Sequence, residues 1–355
     1  MLKFEMNNTS QKQRMTWLIT GGTGFLGLHL CRFLLDQGQK VISYDIARIP
    51  DNEKMDGLFE TTADICDRDS LKKALQGVDI VVHCAAALAL ARPEVINAVN
   101  AEGAKLVLDC ACEASVKRFI YVGTTAVYGM PKTHPIYEDA PLDPMGSYGI
   151  AKARAEEYIK QSQGIEWVIL RPKSFIGTGR LGIFQILFDW IEQGRKIPIF
   201  GSGDNLFQLL WVEDLVVAIY RSALYATPQN IYNIGAKEFN TVNIDVGAML
   251  KAAGTKSRLI HVPSKLVKAI LRVLEILHLS PIYRWVYDTA DQDSFVSIEK
   301  AENDFQFSPQ FSNQRALIET YQWYLKDGKK MAENHGTGHR VAWKQGMLGV
   351  LKHFF

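Results

Sequence analysis

The chain has 355 residues, of which 47% are hydrophobic and 22% charged, and this composition excludes disorder over most of its length. The formal net charge of +2 gives no global basic field, so nucleic acid is not an expected partner. Five cysteines are an odd number and too few for a disulfide framework, and their spacing suggests no metal site. We therefore expect reduced thiols, no bound metal and a cytoplasmic protein.

Short β-rich runs alternate with helical patterns through the first half of the chain. The predicted strands are residues 15–20, 40–44, 58–62, 79–83, 118–122 and 166–170. The predicted helices are residues 25–37, 70–75, 93–114 and 148–161. This alternation predicts right-handed βαβ units and a doubly wound parallel sheet, the α/β architecture of a Rossmann domain, over residues 15–175.

The pattern loosens after residue 171, where glycines mark loops. A helix at 212–224 and a strand at 231–234 predict that residues 208–237 return to the first domain. Residues 176–207 and 238–330 are predicted to form a smaller substrate-binding domain, which includes an amphipathic helix at 265–279.

The two ends of the chain differ from the rest. Residues 1–14 are polar and lack the apolar stretch of a signal peptide, so we expect a flexible tail there. No run of 18 apolar residues predicts a membrane span. Residues 331–355 form a basic and apolar tail, and its part at 341–355 is a candidate for peripheral membrane contact. Gly346 and Gly349 argue against this, because they disfavour a stable isolated helix.

Residues 20–27 (TGGTGFLG) lie between the first predicted strand and the first predicted helix. Glycine permits a tight turn and close approach of a pyrophosphate, to which the helix N-terminus offers free N–H groups. Asp45 ends the second strand, where a carboxylate bonds the adenosine ribose hydroxyls and repels a 2′-phosphate. The sequence therefore predicts NAD, with NADP less favoured. The cofactor-binding residues predicted in the loop are Gly21, Gly24, Phe25, Leu26 and Gly27.

Two further positions near strand ends are open to more than one interpretation. Asp64 and Ile65 follow the third strand, where they either hold the adenine or form a solvated turn. His83 lies on an apolar strand, and we interpret it as a core histidine rather than a catalyst.

Tyr148 and Lys152 are four residues apart on a predicted helix, so they face the same side. A free tyrosine titrates near pH ~10, and a neighbouring ammonium favours its phenolate. Thr124 follows the fifth strand, at the sheet edge where ligands of open α/β sheets bind. We predict that Tyr148 transfers a proton, that Lys152 lowers its pKa and holds the ribose of the cofactor, and that Thr124 holds the substrate oxygen. Tyr148 and Lys152 are therefore predicted cofactor-binding residues as well.

In combination these motifs resemble an extended short-chain dehydrogenase/reductase of the NAD-dependent epimerase/dehydratase family. The resemblance extends over about residues 15–330 and includes the segments at 83–86, 127–129, 171–177 and 212–214. It implies a bound NAD with Ala85 and Ala86 among its contacts, and Thr124, Tyr148 and Lys152 as catalytic residues. It also suggests a homodimer built from the helices at 93–114 and 148–161.

The chain departs from the family at positions that touch substrate. Nucleotide-sugar dehydratases have an acidic pair where Thr125 and Ala126 stand, so elimination of water by those acids is not expected. Ser174 and Phe207 replace an Asn and an Arg that often contact the diphosphate in epimerases, and Leu88 replaces a polar residue near the nicotinamide. Alternative diphosphate contacts are Arg171, Lys173, Arg180 and Arg195; the substrate-binding residues predicted here are Thr125, Ser174 and Arg180.

The leading hypothesis is an NAD-dependent epimerase of a sugar, with a nucleotide attached, that acts through a transient keto intermediate. The alternative is an NAD(P)-dependent dehydrogenase or ketoreductase of an apolar alcohol, similar to a 3β-hydroxysteroid dehydrogenase. The apolar run at 85–91 and Phe207 favour that alternative. A non-catalytic NAD-binding scaffold is a third class, which the intact Thr124, Tyr148 and Lys152 disfavour.

Overall fold

The computed structural model describes residues 14–276, 284–331 and 340. The predicted tail at 1–14, apart from Arg14, and the membrane-contact segment predicted at 341–355 lie outside these residues. The strands are β1 (Thr16–Thr20), β2 (Lys40–Asp45), β3 (Leu58–Thr62), β4 (Ile80–His83), β5 (Arg118–Val122), β6 (Glu166–Pro172), β7 (Phe175–Ile176), β8 (Ile197–Phe200), β9 (Leu210–Trp211), β10 (Asn230–Ile234) and β11 (Leu259–Val262).

Helices alternate with the strands along the first half of the chain. They are α1 (Phe25–Asp36), α2 (Arg68–Ala74), α3 (Pro93–Asn97), α4 (Ala104–Glu113), α5 (Gly146–Gln161), α6 (Ile183–Glu192), α7 (Val212–Tyr225), α8 (Val242–Ala253), α9 (Ser264–Ile276), α10 (Arg284–Thr289), α11 (Glu299–Phe305), α12 (Asn313–Trp323) and α13 (Lys329–Met331). A π-helical stretch, Ala98–Gly103, joins α3 to α4, so the helix predicted at 93–114 contains wider turns. There Gly103 permits a close approach, because a Cβ would lie 2.8 Å from Cδ1 of Ile65.

Seven strands form one parallel sheet in the order β3-β2-β1-β4-β5-β6-β10. The strand order reverses between β1 and β4, and such a switch point opens a crevice at the carboxyl ends of the strands. The doubly wound α/β fold predicted from the sequence is confirmed. Candidate residues follow β1, β4 and β5, and Asp45 ends β2.

Both faces of the sheet are covered, which explains why its strands are almost continuously apolar. On one face, Leu30 of α1 and Ile219 of α7 pack with the sheet in one apolar cluster. On the other face, Leu108 of α4 and Ile159 of α5 belong to a second cluster. The sheet is therefore a rigid platform for the loops at its carboxyl edge.

A separate apolar cluster lies in the second half of the chain and includes side chains of α6, α8 and α12. These three helices were not predicted from the sequence; near α6, glycines were interpreted as loop markers. Gly182 and Gly194 instead delimit α6, with φ values of 63° and 68° that glycine adopts without strain. None of the described helices combines the length and hydropathy that crossing a lipid bilayer would require.

Candidate active site

The glycine-rich loop after β1 lies between the carboxyl ends of β1, β2 and β4. The N–H of Gly21 donates to the carbonyl of Tyr44 at 2.9 Å. A Cβ on Gly21 would lie 2.8 Å from the amide nitrogen of Ala85, and one on Gly27 would lie 2.1 Å from the carbonyl oxygen of Gly21. The structure therefore brings together Gly21, Gly27 and Ala85, at a place too crowded for side chains.

Helix α1 begins at this loop with Gly24 as its N-cap, with no side-chain cap and no acidic residue in its first turn. The first N–H groups of a helix have no intrahelical acceptor, so they are available to an anion such as a pyrophosphate. Phe25 and Leu26 are only 4% and 6% exposed, so their backbone N–H groups, not their side chains, suit a ligand. This donor set fits the pyrophosphate of NAD.

Asp45 ends β2 beside the loop. Its carboxylate accepts the N–H groups of Thr23 at 3.0 Å and of Ala47 at 3.2 Å, which fix the carboxylate while leaving oxygen lone pairs unused. This is the arrangement expected of a group that binds ribose hydroxyls.

Asp64 and Ile65 follow β3, and both side chains already contact other parts of the protein. The Asp64 carboxylate accepts the N–H of Cys66 at 2.9 Å. Ile65 is 5% exposed and packs against Gly103. Their contact with an adenine stays a prediction.

Arg340 is a neighbour of the loop that the sequence analysis missed. Its guanidinium donates to the carbonyl of Thr23 at 3.4 Å and forms an ion pair with Glu53. No sequence signal links residues so far apart in the chain.

The loop after β4 is held by Asn100, which the sequence analysis also missed. Asn100 is 1% exposed; its Oδ1 accepts the N–H of Ala87 at 2.7 Å, and its amide donates to the carbonyl of Ala87 at 3.0 Å. The preceding Ala86 is exposed. The sequence contained a signal for this role of Asn100, namely a polar amide side chain on the buried face of the helix predicted at 93–114.

Two of the three predicted catalytic residues, Thr124 and Lys152, lie at the carboxyl end of β5, and Tyr148 lies on the helix that carries Lys152. The buried Lys152 ammonium donates to the carbonyl of Val122, the last residue of β5, at 2.9 Å. Thr124 lies two residues further on, and its Oγ1 accepts the N–H of Ala126 at 3.1 Å. Tyr148 is half-buried on α5, one turn before Lys152. The structure therefore fixes a cation at the end of β5, one helical turn from Tyr148 and two residues before Thr124 in the chain; their catalytic roles stay a prediction.

Burial lowers the pKa of Lys152 to about 8, although Cys84 and Glu156 act in the opposite direction. The Lys152 nitrogen lies 4.7 Å from the centroid of the Tyr121 ring, a favourable site for a cation. A positive charge one helical turn from Tyr148 stabilises a phenolate at that position.

His83 lies near these residues but serves the core. It is 1% exposed, its Nδ1 is 2.8 Å from Oγ1 of Thr20, and burial lowers its pKa to about 3. It is therefore neutral, and its interpretation as a core histidine is confirmed.

The five cysteines are unpaired, and within the described part of the chain no group of three His, Cys, Asp or Glu could hold a metal.

The predicted substrate-binding residues lie at different places around the crevice. Thr125 is 6% exposed and lines a cavity of about 20 Å³ that also contacts Lys173. Ser174 is half-buried, and its carbonyl accepts the N–H of Leu210 at 3.1 Å. The Arg180 guanidinium lies 5.3 Å from the ring centroid of Phe25, at the start of α1. Their contact with substrate stays a prediction.

Arg171 does not serve as the diphosphate contact suggested from the sequence. It is 1% exposed, and its guanidinium donates to both carboxylate oxygens of Glu156, at 2.6 Å from Nη2 to Oε2 and 3.1 Å from Nε to Oε1. A buried guanidinium requires such a counter-ion, so this arginine is committed to the protein interior.

The tight packing at Gly27 gives a first testable prediction. Gly27→Ala places a methyl group against the Gly21 carbonyl, so we expect a loss of about 1–3 kcal/mol in stability and at least roughly tenfold weaker NAD binding. Gly247→Ala, inside α8 with nothing within 4 Å of the added Cβ, is the matched control. Because alanine favours a helix more than glycine does, the denaturation midpoint of Gly247→Ala should stay level or rise. Chemical denaturation and NAD titration measure both effects; unchanged NAD affinity in Gly27→Ala would contradict this role of the loop.

A crevice with a glycine-rich loop, an acidic residue at the end of β2 and a Tyr/Lys pair beside β5 defines a dinucleotide-dependent enzyme of the doubly wound class. The model of the NAD dependent epimerase/dehydratase family matches residues 17–235. The chain belongs to this family of NAD-dependent enzymes, and NAD is its cofactor.

Several curated relatives align over much of the chain. An uncharacterized protein, y4nG, from Sinorhizobium fredii is 33% identical over 95% of this chain and 85% of its own length. A putative UDP-glucose 4-epimerase from Methanocaldococcus jannaschii is 29% identical over 64% of this chain and 78% of its own. A 3 beta-hydroxysteroid dehydrogenase/Delta 5-->4-isomerase from Mycobacterium tuberculosis is 26% identical over 92% of this chain and 94% of its own.

Solved structures have the same fold. The UDP-glucose 4-epimerase of Thermotoga maritima, solved with UDP-glucose, superimposes with a TM-score of 0.74 at 23% identity, over 88% of this chain and 99% of the other. The UDP-glucuronic acid 4-epimerase of Bacillus cereus, solved with NAD, gives a TM-score of 0.73 at 22% identity, over 88% and 99%. At these identities the likeness concerns the fold.

Proposed function

We propose that the protein is an epimerase of a nucleotide-linked sugar. One observation supports the proposal: the buried Lys152 ammonium is fixed on the carbonyl of Val122, the last residue of β5, one helical turn from Tyr148 and two residues before Thr124 in the chain. Family membership and the epimerases among its relatives support the same reaction class.

Tyr148, Thr124 and Lys152 have different roles in the proposed reaction. Tyr148 removes the proton from a ring hydroxyl, and Thr124 hydrogen-bonds the same oxygen. Lys152 stabilises the phenolate through its charge. When bound, NAD supplies reversible oxidation of the sugar carbon. The keto sugar then turns within the pocket, and Tyr148 returns the proton after reduction on the opposite face.

Two features favour an epimerase over related reactions. Thr125 and Ala126 have no carboxylate with which to catalyse the elimination of water, which disfavours a dehydratase. The cavity next to Thr125 is lined by Lys173, His134 and Ser294, and these polar groups favour a sugar over a sterol.

The alternative is a dehydrogenase of an apolar alcohol, in line with the full-length match to the mycobacterial 3 beta-hydroxysteroid dehydrogenase/isomerase. The two reactions differ in their use of NAD. An epimerase retains its keto intermediate, so we expect UDP-sugars to be interconverted with catalytic NAD and no accumulation of NADH. Absorbance at the NADH band and product analysis test this; stoichiometric NADH with an apolar alcohol, and no sugar conversion, would establish the alternative.

We further propose that the protein works in the cytoplasm as a homodimer. The unpaired cysteines support a reducing compartment. Val95 on α3 and Ile150 on α5 are 37% and 55% exposed, and these apolar side chains support an interface built from those helices.

A further inference from the structure

A small cavity lies at the carboxyl end of β6, next to the proposed catalytic residues. It has a volume of about 20 Å³ and is lined by Thr125, His134, Lys173 and Ser294, among others. Lys173 directly follows β6, which pairs with β5. Thr125 directly follows Thr124, which the proposed function assigns to the reacting oxygen, so we assign a group in this cavity to the sugar and not to the nucleotide.

Lys173 is a buried lysine without a counter-ion. It is 2% exposed; its ammonium donates to Oγ of Ser294 at 2.6 Å and lies 5.4 Å from the ring centroid of Phe207. Among the residues that the structure describes, no carboxylate lies within ion-pair distance of its Nζ. Burial lowers its pKa to about 7, and no neighbouring charge offsets that cost. A charge removed from water in this way is stabilised when an anion is supplied.

His134 adds a second unused polar group to the same cavity. Its Nε2 is buried and has no hydrogen-bond partner in the described part of the chain. Burial lowers the His134 pKa, although Asp293 acts in the opposite direction, so the ring is mostly neutral at pH 7 and Nε2 carries a proton in one tautomer. Asp293 also lines the cavity, but it is exposed and its Oδ1 accepts the N–H of Leu206 at 2.8 Å.

We propose that Lys173 binds a carboxylate on the sugar ring, so that the substrate is a nucleotide-linked hexuronic acid. The inference rests on the proposed function for the nucleotide and for the epimerisation. A carboxylate supplies the counter-ion that Lys173 lacks and an acceptor for the Nε2 proton of His134, whereas a hydroxymethyl group brings no charge. The cavity has room for about one water-sized group, such as a single carboxylate oxygen, and not for a whole ring.

The test compares ligands that differ only in this group. Calorimetry measures binding of UDP-glucuronate, UDP-glucose and UDP to the NAD-loaded wild type and to Lys173→Met. We expect the substitution to weaken UDP-glucuronate by about 10- to 100-fold, as the loss of a charge-assisted hydrogen bond does, and to leave the other two ligands unchanged. Lys237→Met is the matched control, because it removes an exposed lysine paired with Glu302.

Thermal stability separates ligand binding from a structural role of Lys173. A methionine of similar length replaces an uncompensated buried charge, so the midpoint of the free protein should stay level or rise. If Lys173 only held Ser294 in place, the midpoint would fall and all three ligands would weaken together, which would overturn the proposal. Lys173→Gln keeps a donor without the charge and should lose the preference for UDP-glucuronate as well.

The remaining outcomes separate this inference from the proposed function. Equal weakening of UDP and UDP-glucuronate by Lys173→Met would assign the anion to the diphosphate and overturn the inference. A wild type that binds UDP-glucose as tightly as UDP-glucuronate also overturns it, while the proposed function stands. If no UDP ligand binds, the proposed function fails, and free glucuronate against free glucose decides the inference: a preference that depends on Lys173 supports it, and no preference overturns it.

Discussion

Tyr148→Phe is expected to lower kcat by about 10²- to 10⁴-fold, the usual contribution of a positioned proton-transfer group, while NAD binding is retained. The substitution removes one oxygen from a half-buried ring on α5 and leaves the Lys152 ammonium on the carbonyl of Val122. The glycine-rich loop and Asp45, which fit the cofactor, are untouched. Initial rates of sugar interconversion and a fluorescence titration with NAD measure the two quantities.

A second tyrosine on the same helix provides the control. Tyr158 donates to Oε1 of Glu102 at 3.2 Å, away from the end of β5, so Tyr158→Phe should turn over at the wild-type rate. A Tyr148→Phe enzyme with near-normal kcat would show that another group moves the proton. Loss of NAD affinity together with activity would instead indicate that the phenol serves binding.

The sheet was predictable from the sequence because its strands are buried on both faces and end at recognisable residues. For example, the run predicted at 118–122 is β5 without any shift of its ends, and Asp45 ends β2. The second half was less predictable, since α8 and α12 bury their apolar residues against each other and carry no motif. Their pairing depends on contacts between distant parts of the chain, which local periodicity does not report.

The candidate site shows the same division. Gly21, Gly27 and Lys152 were identified because backbone crowding and a fixed helical spacing have sequence signatures. Lys173 was suggested only as one of several cations, and its lack of a counter-ion is a property of its burial. Asn100 and Arg171 also resemble ordinary polar positions until their partners are seen. A sequence supplies residue types and local spacing, but the partner of a buried polar group comes from the tertiary fold.

The buried pair of Glu156 and Arg171 predicts a large effect on stability. The two side chains are 0% and 1% exposed, and the guanidinium also donates to the hydroxyl of Tyr128 at 2.7 Å. Glu156→Gln keeps the shape but leaves the guanidinium without a counter-ion, so we expect a loss of about 3–5 kcal/mol. Urea denaturation measures it as a lower midpoint, and the loss is a large share of typical domain stability.

A surface glutamate and a double variant distinguish this cost from a general effect of removing a carboxylate. Glu113 pairs with Arg68 and Lys72 where water screens the charges, so Glu113→Gln should keep a midpoint close to the wild type. Adding Arg171→Met to Glu156→Gln removes the orphaned charge, so the double variant should be less destabilised than the sum of the single variants. Gly123 adjoins the pair, since a Cβ there would lie 3.1 Å from Oε1 of Glu156, and Thr124 is the next residue. If the stability losses of the two single variants add strictly in the double variant, the Glu156 carboxylate supports the end of β5 by packing alone and not as the counter-ion of Arg171.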